Sequence, residues 1–156
     1  MSNSDSPPNS TEYGADGSPL THPGLLDALN LLLEAERAGT RVAIFTDKEV
    51  QSGDLKKFLV MLKHDEAHWC DMLTRHIEKR NGTASLQCGD FFDKSIAIDD
   101  IRERLEFLNR GQAWVVRKLD VLLSSTTDAE LRADLQMMRD NHVANIAETT
   151  RILDAS

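Results

Sequence analysis

The chain has 156 residues, of which 40% are hydrophobic and 28% are charged, and its formal net charge is −8. This length and composition predict one globular domain, and an aromatic content of only 5% favours helices over strands. The negative charge argues against nucleic acid and anionic membranes as partners. No apolar run approaches the roughly 18 residues of a membrane-spanning helix, and no signal-peptide pattern is present, so we expect a cytoplasmic protein.

The beginning of the chain differs in composition from the rest. Residues 1–20 are rich in Ser, Asn, Asp, Gly and Pro. Such a segment buries too little apolar surface to offset the entropy lost on ordering. We therefore predict a disordered tail over residues 1–20 and an all-α domain over residues 21–156.

The first two helices are predicted from helical spacing of apolar residues. The first opens with Thr21 as a plausible N-cap and Pro23 in its first turn. The second begins near residues 52–54 and ends at residues 81–82, an Asn-Gly pair suited to helix termination. A connector over residues 83–98 follows, and its length requires it to cross or cover one end of a bundle.

The last two helices carry capping signals. The third begins at Asp99 or Asp100, where Asp100 and Glu103 are spaced as a capping-box-like pair. After a short break rich in Ser and Thr, the pair Thr127 and Glu130 fits a capping box that opens the fourth helix. Two helical hairpins joined by a longer connector predict a four-helix bundle, either up-down-up-down or with a crossover.

Each predicted helix places one polar residue on its otherwise apolar inner face. These residues are Glu36, Glu66, Gln112 and His142, reached from the neighbouring leucines and methionine by steps of three and four. Counted from the predicted turns, the two members of each hairpin lie within about one helical turn of the same level. The four side chains are therefore expected to meet in one central layer.

The composition of this layer suggests a metal site. Buried carboxylates persist when they are protonated, paired with a cation or bound to a metal. Two carboxylates and an imidazole suit Fe, Mn or Zn. Glu36, Glu66 and His142 are then the candidate metal ligands, with Gln112 as a weak ligand or a neighbour of one.

A metal-free polar network is the competing interpretation of the same layer. In it Glu36 pairs with Arg37 or Arg110, and His142 bonds to Gln112. The residues alone leave the two interpretations open.

Four segments carry a resemblance to a known family. They are LLEAERAG at 32–39, HDEAHWC at 64–70, LNRGQAWVVRKL at 108–119 and NHVANI at 141–146. Together they resemble a bacterial family of uncharacterised ferritin-like domains. The resemblance implies a ferritin-like four-helix bundle, no settled activity, and an accessory or sensing role.

A di-iron centre of the ferritin-like kind uses a Glu from each of two helices and Glu-x-x-His from each of the other two. Trp69 stands three residues after Glu66, where His is required. Gln112 replaces a Glu, and Arg139 precedes His142 by three. A full di-iron site and ferroxidase activity are therefore disfavoured.

Two functions remain in competition. One is a ferritin-like domain with a partial metal site. The other is a metal-free helical module that acts as a homodimer or binds another protein through an exposed apolar face near Ile44, Phe45, Val60 and Met61. No nucleophile–base pattern is evident, so we assign no catalytic residues and leave open whether the protein is an enzyme.

Overall fold

The computed structural model describes residues 22–156, and within this range all regular structure is helical. The predicted tail over residues 1–20 and the proposed Thr21 cap lie outside the described residues. No helix in the described range is long and apolar enough to cross a membrane. The helices are α1 (His22–Asp47), α2 (Asp54–Lys79), α3 (Phe91–Ile96), α4 (Ile101–Ser125) and α5 (Ala129–Ala155).

The four long helices form a bundle with a crossover connection. Helices α1 and α2 form one hairpin and α4 and α5 the other, with α1 also packing on α4 and α2 on α5. The connector starts at one end of the bundle, where Gly82 lies against Leu26 of α1. It finishes at the other end, where Arg104 of α4 donates to Glu49 Oε1 over 2.8 Å just beyond α1. Of the two predicted topologies, the crossover is therefore the observed one.

The connector is anchored along α1 rather than covering one end of the bundle. Asn30 accepts a hydrogen bond from the Ser85 backbone over 2.7 Å, and the Ser85 hydroxyl donates to Glu34 over 2.6 Å. Further on, Arg41 donates to Cys88 Sγ over 3.1 Å. The connector then forms the short helix α3, which the sequence did not predict and which packs against α1 and α4.

The helix ends confirm most of the predicted capping. Asn81 has a φ of 63°, the left-handed conformation expected of the Asn-Gly terminator, and Asp100 accepts from the Glu103 backbone over 2.9 Å. The predicted Thr127 cap is wrong. Asp128 is the N-cap of α5, and its carboxylate accepts from the Leu131 backbone over 3.0 Å. A carboxylate there also interacts favourably with the helix dipole.

The core consists of two apolar clusters. The larger is built around Leu29, Leu73, Leu119 and Leu135, and the smaller around residues such as Leu62. On every long helix the inward polar residue falls between the parts that contribute to the two clusters. The fold therefore holds a polar layer enclosed by apolar packing on both sides.

Candidate metal centre

The four inward polar residues meet in the middle of the bundle. Glu36, Glu66, Gln112 and His142 are each at most 4% exposed. One ligand atom each from Glu36, Glu66 and His142 lies within 4.8 Å of the others. The predicted layer is thus present, with one residue from each of α1, α2, α4 and α5.

The imidazole of His142 is held by a backbone carbonyl on one side and faces the two carboxyl groups on the other. Its Nδ1 lies 2.9 Å from the carbonyl oxygen of Met138, which can only accept, so Nδ1 carries a proton. The other nitrogen, Nε2, lies 3.0 Å from Glu36 Oε1, 3.1 Å from Glu36 Oε2 and 3.9 Å from Glu66 Oε2. These distances require a proton on Nε2 or on a carboxyl group, or a bound cation, between the three side chains.

Several oxygen atoms of the layer lack hydrogen-bond partners. These are Glu36 Oε1, which is close to Nε2 without hydrogen-bond geometry, Glu66 Oε2 and Gln112 Oε1. Leaving a buried polar atom unsatisfied costs about 1–3 kcal/mol. These atoms are satisfied when the two carboxyl groups share a proton or when the layer binds a cation.

The predicted metal-free network is not the one observed. Arg37 donates to the Gln87 carbonyl, and Arg110 is exposed beside Phe107. Neither arginine forms a salt bridge with Glu36 among the described residues. His142 contacts Glu36 rather than Gln112, since the amide of Gln112 makes a long 3.4 Å bond to Glu66 Oε1. No lysine or arginine of the described chain neutralises the two buried glutamates through a salt bridge.

Burial shifts the titration of the groups around the layer. It raises the pKa of Glu36 to about 7. Burial, reinforced by the negative charge of Glu36, raises the pKa of Glu66 well above its usual value. Burial and the same two carboxylates raise the pKa of Cys70 to about 12, so its thiol stays protonated and unreactive at neutral pH.

The geometry and chemistry of the layer fit one metal ion. Bonds of 2.0–2.2 Å from nitrogen and oxygen place two ligands on one ion at most about 4.4 Å apart. The observed limit of 4.8 Å requires only a small contraction around the ion. Two carboxylates and one imidazole also supply the ligand types that iron, manganese and zinc accept.

At two positions where a di-iron site has further ligands, this chain has Trp69 and Arg139, and neither side chain is available to bind a metal. Trp69 Nε1 donates to Asn141 Oδ1 over 2.9 Å, which fixes the indole beside the layer. Arg139 points away to Asp120, at 2.6 Å. The buried residue three positions after His142 is Asn145, as expected from its place on the inner stripe of α5.

A cavity of about 480 Å³ joins the layer to the protein surface between α1 and α4. Glu36, Glu66 and His142 lie at its buried end, and exposed residues of α4 line its outer part. Phe91 of α3 forms part of the wall and stacks on Phe107, with ring centroids 4.9 Å apart. Two glycines inside the predicted helices, Gly39 and Gly111, indicate close helix approach or room for a ligand beside the layer, and both line this cavity. Its path to the surface depends on where the connector crosses the bundle.

Comparison with known proteins agrees with this architecture. The chain is similar to the crystal structure of "ferritin like, diiron-carboxylate proteins from Bacillus anthracis str. Ames", with a TM-score of 0.75 and 21% sequence identity over 85% of this chain and 96% of that one. The fold is therefore ferritin-like, as the resemblance implied, while identity at this level establishes the fold alone.

Residues 24–151 match the family described as "Domain of unknown function (DUF6306)". Because the match spans most of the chain, the protein belongs to this family. No curated protein matches the chain.

Proposed function

We propose that this protein is a ferritin-like metal-binding protein that holds one transition-metal ion, iron, manganese or zinc, at Glu36, Glu66 and His142. The observation that carries the proposal is the convergence of Glu36, Glu66 and His142, whose ligand atoms lie within 4.8 Å of one another in a buried layer where no described lysine or arginine is ion-paired to the carboxyl groups. A divalent cation suits this set, because two carboxylates and an imidazole all bind it through the atoms that converge here.

Each residue has a distinct part in the proposed site. Glu36 and Glu66 provide the negative charge that balances the ion, and His142 is oriented by its bond to the Met138 carbonyl. Gln112, with an unsatisfied oxygen, is a weak ligand or bonds to a molecule on the ion. A bound ion of this kind supplies Lewis acidity and, if it is iron or manganese, one-electron redox chemistry.

The ligand count favours a single ion over a pair. A di-iron centre requires four glutamates and two histidines. In this chain, Trp69 and Arg139 stand at two of the required ligand positions. Trp69 is hydrogen-bonded to Asn141, and Arg139 is ion-paired with Asp120. Three strong ligands with an adjoining cavity are typical of a mononuclear site that leaves a coordination position open.

Metal analysis of the untagged protein, purified without chelator, tests the proposal. We expect about one equivalent of iron, manganese or zinc in the parent, and a loss of most of it in Glu36→Gln and in His142→Gln. Glu106→Gln is the matched control, because Glu106 is an exposed acid on α4 and its loss leaves the layer unchanged. Absence of metal from the parent, even after incubation with each ion, would refute the proposal if the protein is folded by circular dichroism.

An association module remains the second candidate, since a specific observation favours it. Ile44, Phe45, Val60 and Met61 are each between 36% and 43% exposed, as the sequence analysis expected of a binding face. Large apolar side chains on a surface are typical of contacts between proteins. Sedimentation velocity of the parent and of Met61→Lys tests this function. A dimer that the substitution dissociates would support it, and a monomeric parent would exclude the homodimer.

A further inference from the structure

The cavity between α1 and α4 has the size and the apolar lining of a small-molecule binding site. Its apolar lining comes from two long helices and from α3, and it includes three aromatic rings. The volume of about 480 Å³ falls in the range of sites that enclose a small organic molecule. The principal apolar residues of the wall are Leu31, Ala35, Phe91, Phe107, Trp114 and Val115.

Gly111 allows an aromatic ring of the cavity wall to pack closely against α4. A Cβ on Gly111 would lie 2.7 Å from the ring of Phe91, so the ring approaches the backbone of α4 in a way that a side chain would prevent. The Phe91 and Phe107 rings are inclined by only 11° to each other. Helix α4 has a glycine at this position although an internal glycine destabilises a helix by roughly 1 kcal/mol relative to alanine. The result is a flat aromatic surface on one side of the cavity.

The charges at the outer part of the cavity leave two cations available. Arg110 and Arg117, one on each side of Trp114 along α4, line the cavity and are exposed, and neither forms a salt bridge with a described residue. Two acids line the same part, and only Asp90 is paired with a cation, so the two arginines still outnumber the unpaired acid. Glu34 accepts from the Ser85 hydroxyl over 2.6 Å, and Asp90 pairs with Lys94 over 3.0 Å.

We propose that this cavity binds a small aromatic carboxylate, whose ring lies among Phe91, Phe107 and Trp114 and whose carboxylate faces Arg110 and Arg117. The charges of the two ends define this orientation. The buried end holds two carboxyl groups that disfavour a second anion in the absence of an ion, while the outer end holds two guanidinium groups that form no salt bridge with the described residues, Arg110 lying over the ring of Phe107. Binding itself does not require a metal. One part of the proposal, that the edge of the ligand's ring lies beside the bound metal ion, rests on the proposed function.

Isothermal titration calorimetry with 2-naphthoate tests the binding, first on metal-free protein. The uncharged counterpart 2-naphthylmethanol has the same ring system, so comparison of the two isolates the carboxylate. We expect saturable binding of 2-naphthoate and about tenfold weaker binding of the alcohol. Arg110→Gln/Arg117→Gln should weaken 2-naphthoate binding about tenfold and leave the alcohol unchanged. The control is Lys48→Gln/Lys57→Gln, which removes the same charge from exposed positions away from the cavity.

A second pair of variants tests the location. Leu31→Trp places a large ring at the cavity and should abolish binding of both probes. Val143→Trp adds the same ring at an exposed position outside the cavity and should leave binding intact. Equal binding to all these variants, or no saturable binding to folded parent protein, would overturn the proposal.

Cobalt(II) separates the failure of this inference from the failure of the proposed function. Its visible absorption reports the ligands around the ion. If cobalt(II) binds and 2-naphthoate does not, the metal site stands and the carboxylate site is refuted. If 2-naphthoate binds and no ion does, the carboxylate site stands and the metal site is refuted. If both bind, a change in the cobalt(II) spectrum on addition of 2-naphthoate supports their adjacency, and an unchanged spectrum overturns that part.

Discussion

Gly39 of α1 lies against the carboxylate of Glu66 on α2, so that a Cβ on residue 39 would stand 2.8 Å from Glu66 Oε1. Glycine inside a helix is unfavourable by roughly 1 kcal/mol relative to alanine. Here it makes room for a buried carboxyl group. The absence of a side chain at Gly39 is therefore part of the candidate metal centre.

Gly39→Ala should weaken metal binding while changing stability little. The added methyl group pushes the Glu66 carboxylate away from its position near His142, whereas the better helix propensity of alanine offsets part of the strain. We expect at least about a tenfold increase in the dissociation constant of the ion, a loss of roughly 1.4 kcal/mol of binding free energy. Competition with a coloured chelator measures it.

Gly111→Ala is the matched control for this prediction. It makes the same substitution inside a helix, but its Cβ would meet Phe91 rather than a ligand. Metal affinity should stay close to that of the parent, while binding of 2-naphthoate falls. Equal metal affinity in the two variants would contradict the role assigned to Gly39.

The metal-free protein should lose stability as the pH rises from about 4.5 to about 7. Burial raises the pKa of Glu36 from 4.5 to about 7 in the folded state. Between these values the folded state binds more protons than the unfolded state, so the free energy of unfolding falls with increasing pH. The shift corresponds to about 3 kcal/mol. Glu66, whose pKa burial also raises, contributes with the same sign.

Urea denaturation of metal-free parent and Glu36→Gln at pH 5 and pH 8 measures this effect. The amide does not titrate, so the variant should lose less stability than the parent between the two values. Glu106→Gln, at an exposed position, should behave like the parent. An identical decrease in parent and Glu36→Gln would show that Glu36 does not titrate as its burial predicts.

The N-cap of α5 gives a prediction about the fold alone. Asp128 accepts from the Leu131 backbone and lies 3.2 Å from Arg80, whereas Thr127 is exposed. Asp128→Ala should lower the free energy of unfolding by about 1 kcal/mol. Thr127→Ala should change it by less than about 0.5 kcal/mol. Chemical denaturation of both variants at pH 7 decides between the capping box expected from sequence and the cap observed.

The difference between these two caps illustrates what the sequence could predict. The layer of Glu36, Glu66, Gln112 and His142 was predictable because helical spacing decides which side chains face inward. Their partners were not predictable from spacing. Arg37 is close to Glu36 in sequence, but its guanidinium group donates instead to the Gln87 carbonyl of the connector, which lies along α1.

Non-local contacts also explain the elements that were missed. The six residues of α3 are too few to show a helical period, and their helix depends on packing against α1 and α4. The cavity exists because Phe91 of that helix forms its wall. A local pattern therefore predicts the ligands, while the path of the connector determines how they are reached from the surface.

Trp69→His tests whether the site can be extended toward a di-iron centre. The substitution supplies the imidazole that such a centre has three residues after a glutamate. We expect the metal content to stay at about one equivalent, because Gln112 is neutral and Arg139 remains paired with Asp120. The variant should also lose about 3 kcal/mol of stability, since imidazole fills only part of the space of a buried indole.

Trp69→Phe is the control for that substitution, because it keeps more of the volume and adds no ligand. It should retain about one equivalent of metal and lose stability mainly through the missing hydrogen bond to Asn141. Metal analysis and urea denaturation of both variants give the comparison. A metal content near two equivalents in Trp69→His would mean that Trp69 alone blocks the second position. A content of one in both variants would mean that the glutamates absent from α4 and α5 limit the centre to a single ion.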